Sequence, residues 1–297
     1  MISSLSDVYA AYDAGRSHTQ RFIKTGAGQV ADGKWQDWAF QAGQPGYDAR
    51  IGRVAALTPV VAQGNDAIYL PPIAAGQQRM LHRLTLRPQA SQASQASINF
   101  VLYDLVAYYP LIDGDSADPQ DMDNALTLPR YADGAGLRLV MVNHVAPAVA
   151  NGIMTLDYTD STGVDHSITL GVPLNGINVV CSPVRNAAVA DTGPLTISLD
   201  AGVTGVRRVN RVTYLTPPGG LHCLYLVMPL AQFAHYHDAL LQADTSGVKS
   251  AVEVDFAVKN AGRMPIVKDG AHLAFFYRPN GGGRTATFFG DATFIWS

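Results

Sequence analysis

The sequence predicts a mainly β fold: an antiparallel sandwich or jelly-roll-like domain preceded by an irregular N-terminal arm that carries one short helix. Three observations predict it. First, Glu253 is the only glutamate in the chain, and Lys24, Lys34, Lys249, Lys259 and Lys268 are the only lysines. Glu and Lys are the residues that cover the solvent side of helices, because their straight side chains lose little freedom there. Aspartate, the acid used almost throughout, favours turns. Second, short apolar runs recur from about residue 98 to the C-terminus, with turn residues between them, which is the pattern of sandwiches and barrels. Third, Val252, Val254, Phe256 and Val258 alternate with Glu253, Asp255 and Ala257, the period of a strand with one wet side. The arm is placed at residues 1–76 and the β domain at 77–297.

Residues 3–15 are the best helix candidate. Leu5, Val8, Tyr9 and Tyr12 share one side, Ser6 is placed to cap, and Gly15 to stop it. Residues 16–76 show little periodicity. The run TGAGQVADGKWQDWAFQAGQPGYDARIG is rich in glycine and aromatics, and YLPPI must be extended around its prolines. Trp35, Trp38 and Phe40 need something to pack on, either the chain's own core or a neighbouring subunit. Residues 89–97 spell QAS three times, a small polar tract read as a surface loop.

The stretch from Tyr103 to Val145 organises the rest: two apolar runs joined by a long acidic loop rich in Asp, Pro and Gly. Strands are expected at Ile98–Val106, Leu137–Val145, Ile153–Thr159, His166–Leu170, Leu195–Leu199, Val206–Leu215, Leu221–Met228, Ala251–Val258, His272–Tyr277, Thr285–Phe289 and Ala292–Trp296. Leu221–Met228 is apolar on both sides and is expected at the centre of a sheet. LAQFAHYHDALL, from Leu230 to Leu241, also fits a helix. An internal echo, P-x-x-x-D-G-A-x-L, begins at Pro129 and at Pro265 and reads as two Asp-Gly turns that each feed a strand.

Composition narrows the function. Net charge is -3, which argues against a nucleic-acid binder. No apolar run reaches bilayer length, and the opening residues lack the pattern of a signal peptide, so neither membrane nor anchor is expected. Cys181 and Cys223 sit in apolar contexts and read as buried thiols in a reducing cytoplasm. Charged residues make up 15% of the chain, against roughly 25% in a typical soluble domain. That shortfall points to a surface covered by other protein, where Lys and Glu are depleted and Arg, Tyr and Trp favoured. The expected contact residues are Trp35, Trp38, Tyr108, Tyr109 and Trp296, with Arg207, Arg208 and Arg211 for directional ion pairs.

The chemistry searches return little. Asp113, Asp115, Asp118, Asp121 and Asp123 cluster in IDGDSADPQDMDN, yet the spacing is not that of an EF-hand. Structural turns explain the cluster, with Asp118-Pro119 placed to open one helical turn; a cation held by Asp113, Asp115, Asp118 and Asp121 is the alternative. No metal or other cofactor is assigned. Asp113 with Asp121 is the first pair to consider for a glycosidase, which needs carboxylates about 5 to 10 Å apart. His235, His237 and Asp238 invite a metal reading but lack identifiable further ligands. Asn280–Arg284 has the glycines of a phosphate loop without its Lys or Ser/Thr. There is no G-x-S-x-G elbow and no H-E-x-x-H, and an enzyme is not expected.

The run YYPLIDGDSADPQDMDNALTLPRYADGAGL, with the endings IVKDGAHLAFFYRPNG and FFGDATFIWS, resembles a group of virion structural proteins of tailed bacteriophages. The similarity extends to SLSDVYAAYDAGRSH and KWQDWAFQAG, and Gln89–Ser97 departs from it by lengthening a loop. The resemblance implies a non-enzymatic particle component, a capsid decoration or minor capsid protein, assembled in the host cytoplasm. Its partners would be copies of itself and capsid or tail proteins. The alternative is a carbohydrate- or receptor-binding module on the tail.

Overall fold

In the computed structural model, which describes residues 2–25, 33–46, 56–62, 67–90, 97–149, 152–173, 176, 179–185, 194–236, 252–257, 264–280 and 286–297, antiparallel sheets account for most of the chain. Helix α1 (Leu5–Asp13) is followed by β1 (Ser17–Thr25), β2 (Gln36–Asp37), β3 (Ala42–Gln44), β4 (Val60–Val61), β5 (Arg79–Ala90) and β6 (Ser97–Asp113). Then come β7 (Gln120–Asp121), β8 (Arg138–Val145), β9 (Gly152–Asp160), β10 (Asp165–Val172), β11 (Val206–Thr216) and β12 (Leu221–Tyr236). The last strands are β13 (Val252–Asp255), β14 (Ile266–Val267), β15 (Leu273–Asn280) and β16 (Ala286–Trp296).

The first sheet runs β13, β5, β16, β1, β3, with β14 also on β5. The second runs β2, β15, β6, β12, β8, with β4 also on β6, and the third β10, β9, β11, β7. The second sheet is the middle layer, because its side chains alternate between two cores. Along β12, Cys223, Tyr225 and Val227 join a core with Phe22, Leu84 and Phe288 of the first sheet. Leu224 and Leu226 join another, with Leu156, Leu170 and Val212 of the third. On β8, Val140 and Val142 face the first core, and Leu139 and Met141 the second. This is why these strands are apolar on both sides. At about 1.5–3 kcal/mol for each fully buried large apolar side chain, such doubly buried strands supply much of the folding drive.

The acidic loop is pinned to this middle layer from below. Arg130, near its end, reaches Asp104 on β6 with two parallel hydrogen bonds, Nε to Oδ2 at 3.0 Å and Nη2 to Oδ1 at 2.8 Å. Arg130 Nη2 also donates to the Leu105 carbonyl at 2.9 Å, and the His272 amide donates to Asp104 Oδ1 at 2.8 Å. Both charges are buried. The two echoed turns meet here: Lys268 of the second lies over the ring of Tyr131 of the first. Gly134 and Gly270 both adopt positive φ, as their Asp-Gly turns require.

Helix α1 packs Val8 and Ala11 on Met80 and Ile295 of the first sheet. Its cap is Ser4, not Ser6: Ser4 Oγ accepts the Asp7 amide at 3.2 Å, and the Asp7 carboxylate takes the Ser4 amide in return. Ser4 wins because its partner three residues on is an acid, completing the reciprocal pair. Gly15 ends the helix at positive φ, with Arg16 donating to Ala11 and Gly15 to Tyr12. Ser4→Ala is expected to lower stability by about 1 kcal/mol in a denaturant titration.

Several expectations are corrected. Within residues 16–76, β1 lies between β16 and β3 in the first sheet. The first sheet thus draws strands from both sides of residue 76, β1 and β3 before it and β5, β13, β14 and β16 after it. The QAS tract begins in β5 and ends in β6; residues 91–96 lie outside the described residues. Leu195–Leu199 is irregular, with Ile197 donating to Leu139 of β8. Leu230–Tyr236 continues β12 rather than turning helical, held by pairing with β6 as at Phe233 and Phe100. The two last expected strands are one, running through Gly290, where a Cβ would meet the Phe22 ring. The Val252 alternation holds only to Asp255, at the edge of the first sheet.

Candidate functional site

The third sheet has one side in the core and one outside, and its register sorts the outer side into rows. Asp165 of β10 lies beside Thr159 of β9, which lies beside Arg208 of β11. The next row is Ser167, Asp157, Arg211 and Asp121 of β7. Then follow Thr169, Thr155 and Thr213, and finally Ile153, paired with Thr216; Ile153 is 40% exposed, and Leu215, in the bulge between Tyr214 and Thr216, is 61% exposed.

The charged rows are tied together. Arg211 Nε meets Asp121 Oδ1 at 2.5 Å, and Ser167 Oγ donates to Asp157 Oδ1 at 2.6 Å. Thr159 Oγ1 lies 2.6 Å from Asp165 Oδ1, and Arg208 Nε donates to Thr159 Oγ1 and to Asn210 Oδ1, each at 3.1 Å. Asp121, Asp157, Asp165, His166, Ser167, Asn210 and Arg211 line an open depression of about 390 Å³. The hydrogen bond and charge of Asp121 raise the pKa of Arg211.

At the rim, His166 stacks on Tyr158 with ring centroids 5.1 Å apart. Its Nε2 lies 3.0 Å from Asp160 Oδ2 and its Nδ1 3.1 Å from Asp200 Oδ2. Bonding from the Thr162 hydroxyl, then from His166 and nearby amides, holds the Asp160 carboxyl below the usual range. Arg185, at 2.5 Å, does the same for Asp200. No sequence spacing announces this cluster, which tertiary folding assembles from a hairpin and a loop.

The expected contact residues divide. Trp38 is buried against Phe22 and Phe275, with centroids 5.1 and 4.5 Å away. Trp35 and Tyr108 lie in the same core, and Tyr109 in the other. Tyr109 donates to Asn124 and accepts the Val209 amide, and burial pushes its pKa up to about 12. These four aromatics pack within the chain. Trp296 is half-buried at the end of β16, while Arg207, Arg208 and Arg211 are exposed on β11. A bulge between Val206 and Arg208 sets Arg207 apart from the other two.

The acidic loop is built of turns. Asp113 Oδ1 accepts the Asp115 amide and Ser116 Oγ the Asp118 amide, and Gln120 bonds both backbone groups of Asp113. No helical turn opens at Asp118. With Asp121 held by Arg211, Asp113 and Asp121 serve different structural partners. Among the described residues, no three His, Cys, Asp or Glu side chains gather as a metal would require. The His235 side chain, His237, Asp238 and residues 281–284 lie outside the described residues.

Asn143, Cys181 and His222 meet inside the protein, and all three are fully buried. His222 Nδ1–H donates to Asn143 Oδ1 at 2.8 Å. Burial raises the Cys181 thiol far above its ordinary range and lowers His222 to about 4, so both are neutral at pH 7. A protonated, enclosed thiol is inert.

No family model matches the chain, and no curated protein matches it. Among solved structures it is similar to the VP2 subviral particle of infectious bursal disease virus, at 8% identity over 94% of this chain and 80% of that one, with a TM-score of 0.18. It is also similar to T=1 particles derived from infectious bursal virus, at 9% identity over 94% and 77%, with a TM-score of 0.19. Likenesses of that depth carry no argument about fold or function.

Proposed function

We propose that this chain is a non-enzymatic structural component of a virus particle of the tailed-phage type, acting as a capsid decoration or minor capsid protein. It works by covering surface between subunits, is made in the host cytoplasm and resides in the virion. The observation that carries this reading is the surface chemistry: 15% charged residues, one glutamate and five lysines. A free β protein commonly keeps itself soluble with more charge. The resemblance of the central run to phage virion proteins supports the same reading. Its partners are copies of itself and other particle proteins.

The depression on the third sheet favours a second reading, a glycan-binding module on the tail, because its hydroxyl, carboxamide and carboxylate groups are those that hold sugars. Among the described residues no Trp, Tyr or Phe lines that depression to stack on a sugar, and the first reading is preferred. Sedimentation velocity and a glycan array separate the two. Concentration-dependent association with no glycan bound supports the particle component; a monomer that binds glycans selects the tail module.

A further inference from the structure

We propose that the outer side of the third sheet joins two copies of this chain about a two-fold axis running parallel to its strands, between β9 and β11. The proposal rests on the assembly reading above and names the surface that performs it. A two-fold contact uses the same patch on both copies, so the patch must be complementary to itself. This one is, in both directions of the sheet.

Across the strands, net charge changes sign at the proposed axis. Asp157 on β9 and Asp165 on β10 lie on one side of it, and Arg208 and Arg211 on β11 lie on the other with Asp121 on β7, which pairs with Arg211 within the chain. Turning a second copy about that axis sets its β11 over β9 of the first. Each Arg211 then faces the other copy's Asp157, and each Arg208 reaches Thr159 and Asp165. Paired strands are about 4.8 Å apart, within the reach of an arginine side chain. The depression where Asp157, Asp165 and Asn210 lie beside the chain's own Arg211 and Asp121 is the seat for the incoming guanidinium. Arginine suits such a contact because its flat fork binds carboxylates in fixed geometry and is more weakly hydrated than an ammonium group.

Along the strands, rotation about an axis parallel to them leaves each row facing its own copy. The threonine row of Thr155, Thr169 and Thr213 meets itself, and Ile153 meets the other copy's Thr216 with the exposed bulge residue Leu215 beside it. Apolar area is thus removed from water at one end while charge pairs fix register at the other. Any other axis in this plane would set charged rows on the apolar one, or arginine on arginine.

The test is a charge exchange followed by sedimentation equilibrium. Arg208→Asp/Arg211→Asp makes the patch acidic throughout, and Asp157→Arg/Asp165→Arg makes it basic apart from Asp121. Each alone is expected to associate at least tenfold more weakly than the native chain, and an equimolar mixture to recover association. If the acidic variant folds, by its thermal melt, yet associates as the native chain does, this surface is not the contact, although the assembly reading stands. A native chain that stays monomeric overturns both. Should the charge variants fail to fold, Leu215→Glu, at an exposed position, decides: unchanged association rejects the proposal and lost association supports it.

Discussion

Arg130→Leu is expected to destabilise the protein by about 3–5 kcal/mol in chemical denaturation, among the largest effects of any single polar substitution in the chain. The cost comes from what remains. Asp104 sits in the middle of the central sheet with its carboxylate fully buried, and Arg130 supplies two of its hydrogen bonds. Without the guanidinium, the His272 amide is left as a partner too weak to hold a buried charge. Replacing both residues, Asp104→Leu with Arg130→Leu, is expected to recover part of the loss, because an apolar pair leaves no charge behind. The exposed pair Arg21–Asp291, at 3.3 Å with side chains 86% and 39% exposed, marks the contrast. Breaking it is expected to change stability by no more than about 1 kcal/mol.

Lowering the pH from 7.5 to 4 is expected to remove about 3 kcal/mol of stability through His222 alone. Burial lowers its folded-state pKa to about 4 from an ordinary 6.5, while neighbouring carbonyl and carboxylate groups act the other way. The unfolded chain therefore binds the proton first as pH falls. Stability from this group is complete above pH 6.5 and is lost progressively down to about pH 4, with roughly 1.4 kcal/mol for each pH unit between. His82, lowered by burial beside Asp255, acts in the same direction. The lowered carboxylates Asp7, Asp160 and Asp200 act only further down the scale. Denaturation midpoints measured at pH 7.5 and 4.5 should differ less in His222→Gln than in the native protein; equal differences would reject this assignment.

The parts of the fold that could be read from the sequence are those whose alternation is purely apolar. β8, the first half of β12 and most of β6 are buried on both sides, and their runs show it. β1 and β5 were not legible, for a common reason: polar residues occupy inward positions. Lys24 on β1 is buried, its ammonium bonded to the carbonyls of Gln41 and Gly46 and set over Trp38. On β5, Arg79 and His82 are buried likewise. Tertiary partners reach these groups, Asp269 for Arg79 and Asp255 for His82, and no local pattern reports them.

The site was half legible. The arginines of β11 stand together in the sequence, but their acidic counterparts on β9 and β10 lie about fifty residues earlier and join them only through cross-strand register. The aromatics show where composition stops short of placement. Trp35, Trp38, Tyr108 and Tyr109 have the composition of a contact surface, and the layered fold spends them on its own cores. The echoed Asp-Gly turns proved more informative than their resemblance to ordinary turns implied, because they converge on one buried carboxylate.

The most direct test of the proposed assembly is an image reconstruction of the phage particles to which that proposal assigns the chain. The account predicts density for the three stacked sheets in the particle, with copies related by two-fold contacts through β9 and β11. Particles lacking the chain altogether, with the protein found only as free monomers in the infected cell, would contradict it.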